Sequence, residues 1–387
     1  MDLIFRLFIK NYKNTDDSAV RLRYGVLGSV MGIVLNLLLF AFKTLAGVLT
    51  KSISIVDDAF NKLSDAGSSI ITFIGFRLSD KPADHDHPFG HGRFEYISAM
   101  FVSVLIIYMG IELGKSSFEK ILHPGEVAFD MTSVVILVAA IFVKGWMYLF
   151  NRKIGKTINS QSIIAGAKDS LCDSLATLVV LISLLISKLF KVNIDGYAGL
   201  GIAVFILYTG AGAMRDAVSP LLGGTPDEEL VKSIADTVLR HEEIVGIHDL
   251  VIHNYGPTRF MLSLHAEVPA DCNILSIHDT IDIIEKEISQ KFSCDAVIHM
   301  DPIETDNEVI NNTRSTVDSI IKSISDKLSM HDFRMVSGDT HTNLIFDVVV
   351  PFGFSIEEKE LKDIIQKKVF EHNQTYYVVI TIDKNYV

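Results

Sequence analysis

Two pairs of oxygen-bearing side chains interrupt segments that are otherwise strongly apolar. Asn61 and Asp65 lie in "SISIVDDAFNKLSDAGSSI" (52–70), and Asp169 and Asp173 lie in "AGAKDSLCDSLATL" (165–178). The residues of each pair are four apart and therefore share one face of a helix. A charged residue at the centre of a bilayer costs at least ~2.5 kcal/mol, so it usually marks a transport pathway. Two such pairs in separate spans predict a four-ligand pocket for a divalent cation.

A second group of ligand-type residues lies between the predicted second and third spans, in "KPADHDHPFGHGRFEYI" (81–97). The candidate metal ligands are Asp84, His87 and His91. His85 and Asp86 lie beside them, and Gly90 and Gly92 would let the backbone turn sharply around the last histidine. A polar surface loop is the alternative, but three histidines within seven residues, flanked by acids, favour a metal site.

The elements that position these residues are predicted to be membrane-spanning helices. The chain has 387 residues, of which 49% are hydrophobic, and its mean hydropathy is +0.33. Apolar runs dominate up to about residue 215, whereas the composition after about residue 225 is that of a soluble protein. A helix needs roughly 20 apolar residues to cross a hydrocarbon core about 30 Å thick. Six segments qualify, near 25–48, 53–78, 94–115, 130–150, 163–187 and 196–214.

Basic residues predict the orientation of these spans. The first segment, "MDLIFRLFIKNYKN", interleaves three basic residues with apolar ones and has no cleavage site, so an amphipathic helix at the membrane surface (residues 1–22) is expected. Arg21, Arg23 and the later loop "NRKIGK" are basic and should be cytoplasmic. With six spans (residues 23–215), both termini and the soluble part would then also be cytoplasmic.

The soluble part contains a repeat. "IHDLVIHNYGPTRFMLSLHAEVP" (247–269) is echoed by "MHDFRMVSGDTHTNLIFDVVVP" (330–351), and each copy has a helical pattern on either side and a β-rich run at its end. The order helix–strand–strand–helix–strand predicts two tandem ferredoxin-like α+β modules, at residues 226–304 and 307–387. Such small domains often serve as docking modules, so this fold alone indicates little about function.

Several histidines of the first module could bind a metal. The candidates are His248, His265, His278 and His299, with Asp301. A single histidine is more often a surface residue than a ligand, and spacing alone does not assemble these into one site. The three cysteines match no CxxC or CxxH pattern, which disfavours a disulfide framework and a thiolate zinc site. The net charge of −12 disfavours nucleic acid as a partner.

Together these motifs resemble the cation diffusion facilitator family of proton-coupled divalent-metal exporters. The resemblance rests on the NxxxD and DxxxD spans, "HPFGHGRFE", "GPTRF" and "VIHMDP", and covers about residues 20 to 304. It implies a homodimer with a transport site between the second and fifth helices of each protomer. It also implies a loop site at Asp84, His87 and His91 and a cytoplasmic-domain site. The residues implied for the cytoplasmic-domain site are His248, His265, His299 and Asp301, with His278 as a bridging ligand.

One departure from the family pattern concerns the metal. Zinc-selective members resemble one another in having His in place of Asp169 and usually Asp in place of Asn61. Manganese members are similar to this chain in having Asp at the position of Asp169. Imidazole suits Zn²⁺, whereas an all-oxygen ligand set suits harder ions such as Mn²⁺. We therefore predict Mn²⁺ as the transported ion, with Fe²⁺ next and Zn²⁺ third, and no prosthetic group.

A second departure is the extra module, residues 307–387. By the repeat alignment, His265 is matched by Asp347, His299 by Thr381 and Asp301 by Asp383, while His331 keeps its counterpart, His248. Since most of the histidines are replaced, the module is predicted to have lost the metal site and kept the fold.

The charge of the carboxylates suggests antiport of metal and protons, and the membrane is expected to be a bacterial cell membrane. Three carboxylates around a divalent cation leave a charge of −1, whereas the unneutralised set would carry −3 in a low dielectric. The empty site should therefore hold protons that metal binding expels.

Lys144, taken to lie near the end of the fourth span, is expected to anchor that helix or extend toward the interface.

Three alternatives compete with a metal exporter. Polar residues in spans can form hydrogen bonds between helices, and this would explain a single Asx pair as well as a metal site would. Two matching pairs in separate spans favour a metal transport pathway. An intramembrane aspartyl protease would carry YD and GxGD motifs, which do not surround these aspartates, so an enzyme is disfavoured. A membrane metal sensor that binds without transporting would keep the histidines of the first module and tolerate loss of Asp173.

Overall fold

The computed structural model describes residues 1–15, 17–50, 53–123, 131–190, 192 and 194–384, without the side chains of 47, 49, 50, 53–58, 60 and 61. The chain forms two compact units. The first unit consists of Met1–Gly224 together with the segment Asn254–Arg259, and the second consists of Thr225–His253 and Phe260–Val387. The candidate residues of the membrane part and of its loop lie in the first unit, and those of the soluble part lie in the second.

Long helices build the first unit. They are α1 (Asp2–Phe8), α2 (Ser18–Thr50), α3 (Ile53–Ser79), α4 (Phe94–Leu122), α5 (Met131–Thr157), α6 (Gln161–Phe190) and α7 (Asp195–Val218). Among the described residues, five segments of 27 to 30 residues, on α2 and α4 to α7, are long and apolar enough to cross a membrane. The predicted second span, α3, is a helix of 27 residues but is not one of these five. Five of the six predicted spans thus correspond to candidate membrane-spanning helices.

Small residues allow the helices to pack closely, as is common between membrane helices. Helix α4 packs along α7, α2 along α3, and α5 along α6. A Cβ atom added at Gly199 would lie 2.3 Å from Ser117 Oγ, and one added at Gly75 would lie 2.3 Å from Ser98 Oγ. These glycines therefore set the α4–α7 and α3–α4 distances.

The predicted N-terminal helix is present only over Asp2–Phe8, because the chain leaves the helix at Ile9 and α2 begins at Ser18. Phe5 and Ile9 are buried against Tyr24 and Phe150 in a core cluster of the first unit. On the other side, Leu3, Leu7 and Phe8 are exposed. An apolar exposed side is compatible with the membrane surface, and that location stays a prediction.

The second unit repeats one order of elements, αββαβ. The first module contains α8 (Glu228–Val238), β1 (Gly246–Gly256), β2 (Arg259–Pro269), α9 (Ile274–Phe292) and β3 (Asp295–Ile303). The second contains α10 (Glu308–Ile324), β4 (Ser329–Ser337), β5 (Thr342–Val350), α11 (Glu358–His372) and β6 (Tyr376–Lys384). The side chains of Asp227, Asn273 and Asn307 accept hydrogen bonds from the first backbone N–H groups of α8, α9 and α10. Three of the four helices of these modules thus begin at a side-chain cap, whereas Glu357 forms no such hydrogen bond at the start of α11.

Each module forms a three-stranded sheet over its own hydrophobic core. The strand orders are β1-β2-β3 and β4-β5-β6. Strand β2 runs parallel to β3, and β5 runs antiparallel to β4 and parallel to β6. Asp249 and Asp332 follow the equivalent histidines of β1 and β4, and both have positive φ angles, 52° and 50°. The repeat thus extends to a local distortion of the backbone beside each histidine.

Candidate metal centres

Helices α3 and α6 bring three carboxylates together, which we call the carboxylate cluster. It consists of Asp65, Asp169 and Asp173, and one oxygen atom of each lies within 4.8 Å of the others. The three residues are 2%, 6% and 6% exposed. Asn61 lies one turn before Asp65 on α3, but its side chain is outside the described part of the chain. Three of the four residues predicted from the spacing therefore converge.

Two buried lysines lie against this cluster, and the sequence analysis missed their role. Lys144 Nζ lies 2.8 Å from Asp65 Oδ2 and 2.6 Å from Asp173 Oδ2. Lys62 Nζ lies 2.8 and 3.3 Å from the same two atoms. The side chains of Lys62 and Lys144 are 7% and 2% exposed. Both ammonium groups thus bridge Asp65 and Asp173.

The expectation that Lys144 anchors the end of a span is wrong. Its helix extends over Met131–Thr157, so the residue lies at the midpoint and faces the carboxylates, whose negative charge offsets the cost of burying an ammonium group. Lys62 could have been found in the sequence, because it precedes Asp65 by three residues and shares its helix face. Unlike Asp65 and Asp173, which contact the two lysines, Asp169 accepts a hydrogen bond of 3.4 Å from Ser68 Oγ.

Two cavities of the first unit reach the cluster. A cavity of about 830 Å³ includes Lys62 and Asp173 in its wall and extends to Lys120 and Asp195. A much smaller polar cavity, of about 20 Å³, adjoins Asp169 and is lined mainly by small residues and hydroxyl groups. Access from the cluster is therefore wide toward the ends of α4 and α7 near Lys120 and Asp195, and narrow on the side of Asp169.

The loop between α3 and α4 gathers its predicted ligands. Asp84 Oδ1 lies 3.4 Å from His87 Nδ1, and Asp84 Oδ2 lies 3.4 Å from His91 Nε2. His91 Nδ1 lies 3.1 Å from the carbonyl oxygen of Pro82, which favours a proton on Nδ1 and a lone pair on Nε2 for a metal. A hydrogen bond from the His87 backbone N–H is the main reason why the pKa of Asp84 is lowered. His85 lies beside this group with an exposed side chain.

The two glycines of the loop have different roles. Gly90 has a φ angle of +82°, which fits the predicted turn. Gly92 is not among the described glycines with a positive φ angle. A Cβ atom at Gly92 would lie 2.7 Å from the carbonyl oxygen of Tyr255. The guanidinium of Arg93 donates hydrogen bonds of 3.1 and 2.7 Å to the carbonyl oxygen of Asn254. Gly92 also lies against Gly256, so "HPFGHGRFE" is adjacent to the part of "GPTRF" that belongs to the first unit.

In the second unit, four of the five predicted ligands of the first module meet around Asp301. Its Oδ2 lies 3.0 Å from His248 Nε2 and 2.8 Å from His265 Nδ1, and its Oδ1 lies 3.1 Å from His299 Nε2. His265 and His299 lie side by side because β2 and β3 pair in parallel register. We call His248, His265, His299 and Asp301 the cytoplasmic-domain cluster.

His278 does not join this cluster within the described chain. It lies on α9 with its side chain 61% exposed, 3.7 Å from Asp282. A residue that the sequence analysis missed lies on the other side of His248, where Glu267 Oε1 is 3.5 Å from Nδ1. Burial opposes protonation of His248, but Glu267, Asp249 and Asp301 together raise its pKa. The assignment of His278 as a ligand stays a prediction.

Comparison with known proteins decides the family. Residues 29–222 match the model of the cation efflux transmembrane domain, and residues 226–303 match the cytoplasmic domain of cation efflux proteins. The chain belongs to the cation efflux family. The resemblance to cation diffusion facilitators is confirmed, and the protein is a divalent cation efflux transporter with a helical membrane domain.

Three relatives match this chain over most of their own lengths. An uncharacterized transporter of Methanocaldococcus jannaschii is 30% identical over 71% of this chain and 97% of its own length. The manganese efflux system protein MneS of Bacillus subtilis is 26% identical over 73% and 97%, respectively. The cation-efflux pump FieF of Pectobacterium atrosepticum is 31% identical over 73% and 94%. These three relatives match nearly their whole lengths to less than three quarters of this chain.

Proposed function

We propose that this protein exports Mn²⁺ in exchange for protons, with Asn61, Asp65, Asp169 and Asp173 as the transport site. The observation that carries this proposal is the convergence of three buried carboxylates from two helices on one point. Carboxylate and amide oxygens suit Mn²⁺ better than they suit Zn²⁺. A relative named as a manganese efflux protein, MneS, supports this choice. The relatives named cation-efflux pump leave Fe²⁺ and Zn²⁺ as alternatives.

The two lysines suggest how metal and protons exchange. With all groups ionised, the three carboxylates and two ammonium groups carry −1 in total. Adding a divalent cation changes this charge to +1, which is unfavourable in a buried site. Loss of two protons from these groups restores −1. Metal entry therefore displaces the ammonium groups from Asp65 and Asp173 and favours proton release, and metal exit favours proton uptake.

The cavities suggest which side the cluster faces. If the basic segments near α2 and α5 are cytoplasmic, α7 begins at the outer side of the membrane. The cavity that reaches Asp195 then opens toward the same side. The described conformation then corresponds to an outward-facing state. In an inward-facing state the path beside Asp169 would widen, because alternating access requires each side to open in turn.

The remaining elements have supporting roles in this proposal. Helix α3 is the sixth span, and both termini are cytoplasmic. The protein acts as a homodimer, in keeping with the dimerising role implied by its family resemblance. The loop group (Asp84, His87 and His91) and the cytoplasmic-domain cluster bind metal without transporting it, and His278 contributes from outside the cluster. Their mixed imidazole and carboxylate ligands suit borderline divalent ions.

Flux into proteoliposomes tests the proposal. The purified protein is reconstituted, a pH gradient is imposed, and uptake of Mn²⁺, Fe²⁺, Zn²⁺ and Co²⁺ is compared with that of protein-free liposomes. We expect pH-driven uptake that is fastest for Mn²⁺. Uptake that favours Zn²⁺ would refute the choice of metal, and metal binding without uptake would identify a sensor instead of a transporter.

A further inference from the structure

We propose that the second αββαβ module helps to form a divalent-cation site of its own, from Asp249, His331 and Asp383. One ligand atom of each of these residues lies within 4.8 Å of the others. Asp249 comes from the first module and the other two from the second, so an ion here would join the two modules of one chain. The site goes beyond the proposed export function, because it includes no residue of the transport site, the loop group or the cytoplasmic-domain cluster.

The geometry of this site repeats half of the cytoplasmic-domain cluster. His331 Nε2 lies 3.2 Å from Asp383 Oδ2. The equivalent atoms of the first module, His248 Nε2 and Asp301 Oδ2, are 3.0 Å apart. Two ligands bound at about 2.1 Å to one tetrahedral ion are separated by roughly 3.4 Å. The spacing of His331 and Asp383 therefore fits two ligands of the same ion.

His331 is buried without a hydrogen bond. The residue is 9% exposed, and in the described part of the chain neither of its ring nitrogens has a hydrogen-bond partner. Asp383 Oδ2 is also buried without such a partner, although it is close to His331. A buried polar group without a partner is destabilising, and a metal ion accepting these lone pairs would offset that cost. The side chains are thus arranged as ligands and leave hydrogen bonds unformed.

The third ligand replaces one that the repeat has lost. His265 of the first module is matched in the second by Asp347, on strand β5. Asp249 Oδ1 instead approaches His331 Nε2 from the first module, at 4.0 Å. The positive φ angle of Asp249 belongs to the backbone distortion found beside both histidines. The ring of His248 stacks on that of His331 at 4.5 Å, which holds the two modules in contact at this point.

The charges around the site also favour a cation. The carboxylates of Asp249 and Asp347 lie near that of Asp383, so negative charge is concentrated at this point. Among the described residues, no lysine or arginine forms an ion pair with Asp249 or Asp383. One imidazole and two carboxylates suit a first-row divalent ion such as Zn²⁺, Co²⁺ or Mn²⁺. The prediction that the second module lost its metal site rested on counting histidines within one module, which overlooks a ligand from the other.

Metal counting on the full-length protein tests this inference. All variants are made in an Asp173→Asn background, purified in detergent, and titrated with Co²⁺, whose absorption reports ligand type and number. We expect His331→Ala to lose about one bound equivalent per chain. Asp383→Asn should raise the dissociation constant of that equivalent by at least about tenfold. His372→Ala, which removes an exposed histidine of the same module, should change neither.

The cytoplasmic-domain cluster provides the second control. His265→Ala should reduce binding there while the equivalent assigned to His331 remains. Equal Co²⁺ stoichiometry and affinity in the parent, His331→Ala and Asp383→Asn would overturn the inference. Because the readout is binding in a background without transport, this outcome would leave the proposed export function untouched.

Discussion

Lys62 and Lys144 place positive charge on the same carboxylate oxygens that the proposed mechanism assigns to the metal. Both ammonium groups contact Asp65 Oδ2 and Asp173 Oδ2. A metal ion at these atoms must therefore displace the lysines, at a cost that weakens binding. Weak binding suits a transporter, because the ion has to leave as well as enter.

Lys144→Met tests this competition. Without one ammonium group the empty cluster carries a charge of −2 instead of −1, and the metal has one competitor fewer. We expect the KM for Mn²⁺ flux to fall by about tenfold, equivalent to about 1.4 kcal/mol, with fewer protons moved per metal ion. Lys168→Met is a suitable control, because that lysine lies on α6 but pairs with Asp216 away from the cluster. An unchanged KM and proton ratio in Lys144→Met would contradict the displacement.

Asp169→His tests the basis of metal selectivity. The substitution places an imidazole in an otherwise all-oxygen set, and imidazole favours Zn²⁺. We expect the ratio of Zn²⁺ to Mn²⁺ flux to rise, alone or together with Asn61→Asp, in a competition assay. Discrimination by ligand type is relative, so a shifted ratio is expected and not a complete switch. If both variants kept the Zn²⁺ to Mn²⁺ flux ratio of the unchanged protein, selectivity would be set by residues other than Asn61 and Asp169.

The spacing of residues predicted the carboxylates but not their counter-ions. Asp169 and Asp173 are four residues apart, so their common face follows from helix geometry alone. A single lysine in an apolar segment is usually accounted for by its extension toward the interface. The rotation of α5 that turns Lys144 toward α3 and α6 depends on packing between helices, which periodicity in one segment does not reveal.

At the level of elements, a buried ion pair joins α2 to α4. Arg21 Nη2 donates a hydrogen bond of 2.9 Å to Glu95 Oε1, and Nη1 lies 2.8 Å from Oε2. Glu95 is 0% exposed. Arg21 Nε also donates to the carbonyl oxygen of Ile158, just beyond the end of α5. Three helices therefore depend on one guanidinium group.

Glu95→Gln should destabilise this junction. It leaves the Arg21 charge buried without its partner, which costs about 3–5 kcal/mol. We expect a clear fall in the apparent Tm of the purified protein in detergent. Glu287→Gln removes the partner of an exposed arginine, Arg240, and should cost about 1 kcal/mol or less. Equal Tm changes in the two variants would show that the buried pair does not support the helix packing.

The order of elements in the soluble part was predictable because each αββαβ copy carries its own helical and β-rich sequence patterns. The adjacency of "HPFGHGRFE" and "GPTRF" was not, since the two motifs are separated by more than 150 positions. The contact of Gly92 with the Tyr255 carbonyl accounts for one glycine of the first motif, yet nothing local in the sequence points to that partner.

At the level of the whole molecule, the second αββαβ module is an addition to an exporter of ordinary length. The relatives match 94% to 97% of their own lengths to 71% to 73% of this chain. The family models end at residue 303. The two modules have separate hydrophobic cores, so the first does not need the second to bury its apolar side chains.

Deletion of residues 307–387 should therefore leave most of the Mn²⁺ flux. We expect a smaller effect than that of His248→Ala combined with Asp301→Ala, which removes two ligands of the cytoplasmic-domain cluster and should reduce the rate or affinity. Size-exclusion chromatography would be used to check that the shortened protein remains an intact oligomer. Complete loss of flux from such an oligomer would show that the second module is required for transport.

The most direct test of the account is Mn²⁺ flux in proteoliposomes containing Asp173→Asn, compared with the unchanged protein and with Asp216→Asn. Asp173 belongs to the carboxylate cluster, whereas Asp216 pairs with Lys168 and is half exposed. We expect no flux above protein-free liposomes for Asp173→Asn, near-normal flux for Asp216→Asn, and equal protein insertion in all three. Flux at the unchanged rate in Asp173→Asn would contradict the assignment of the transport site.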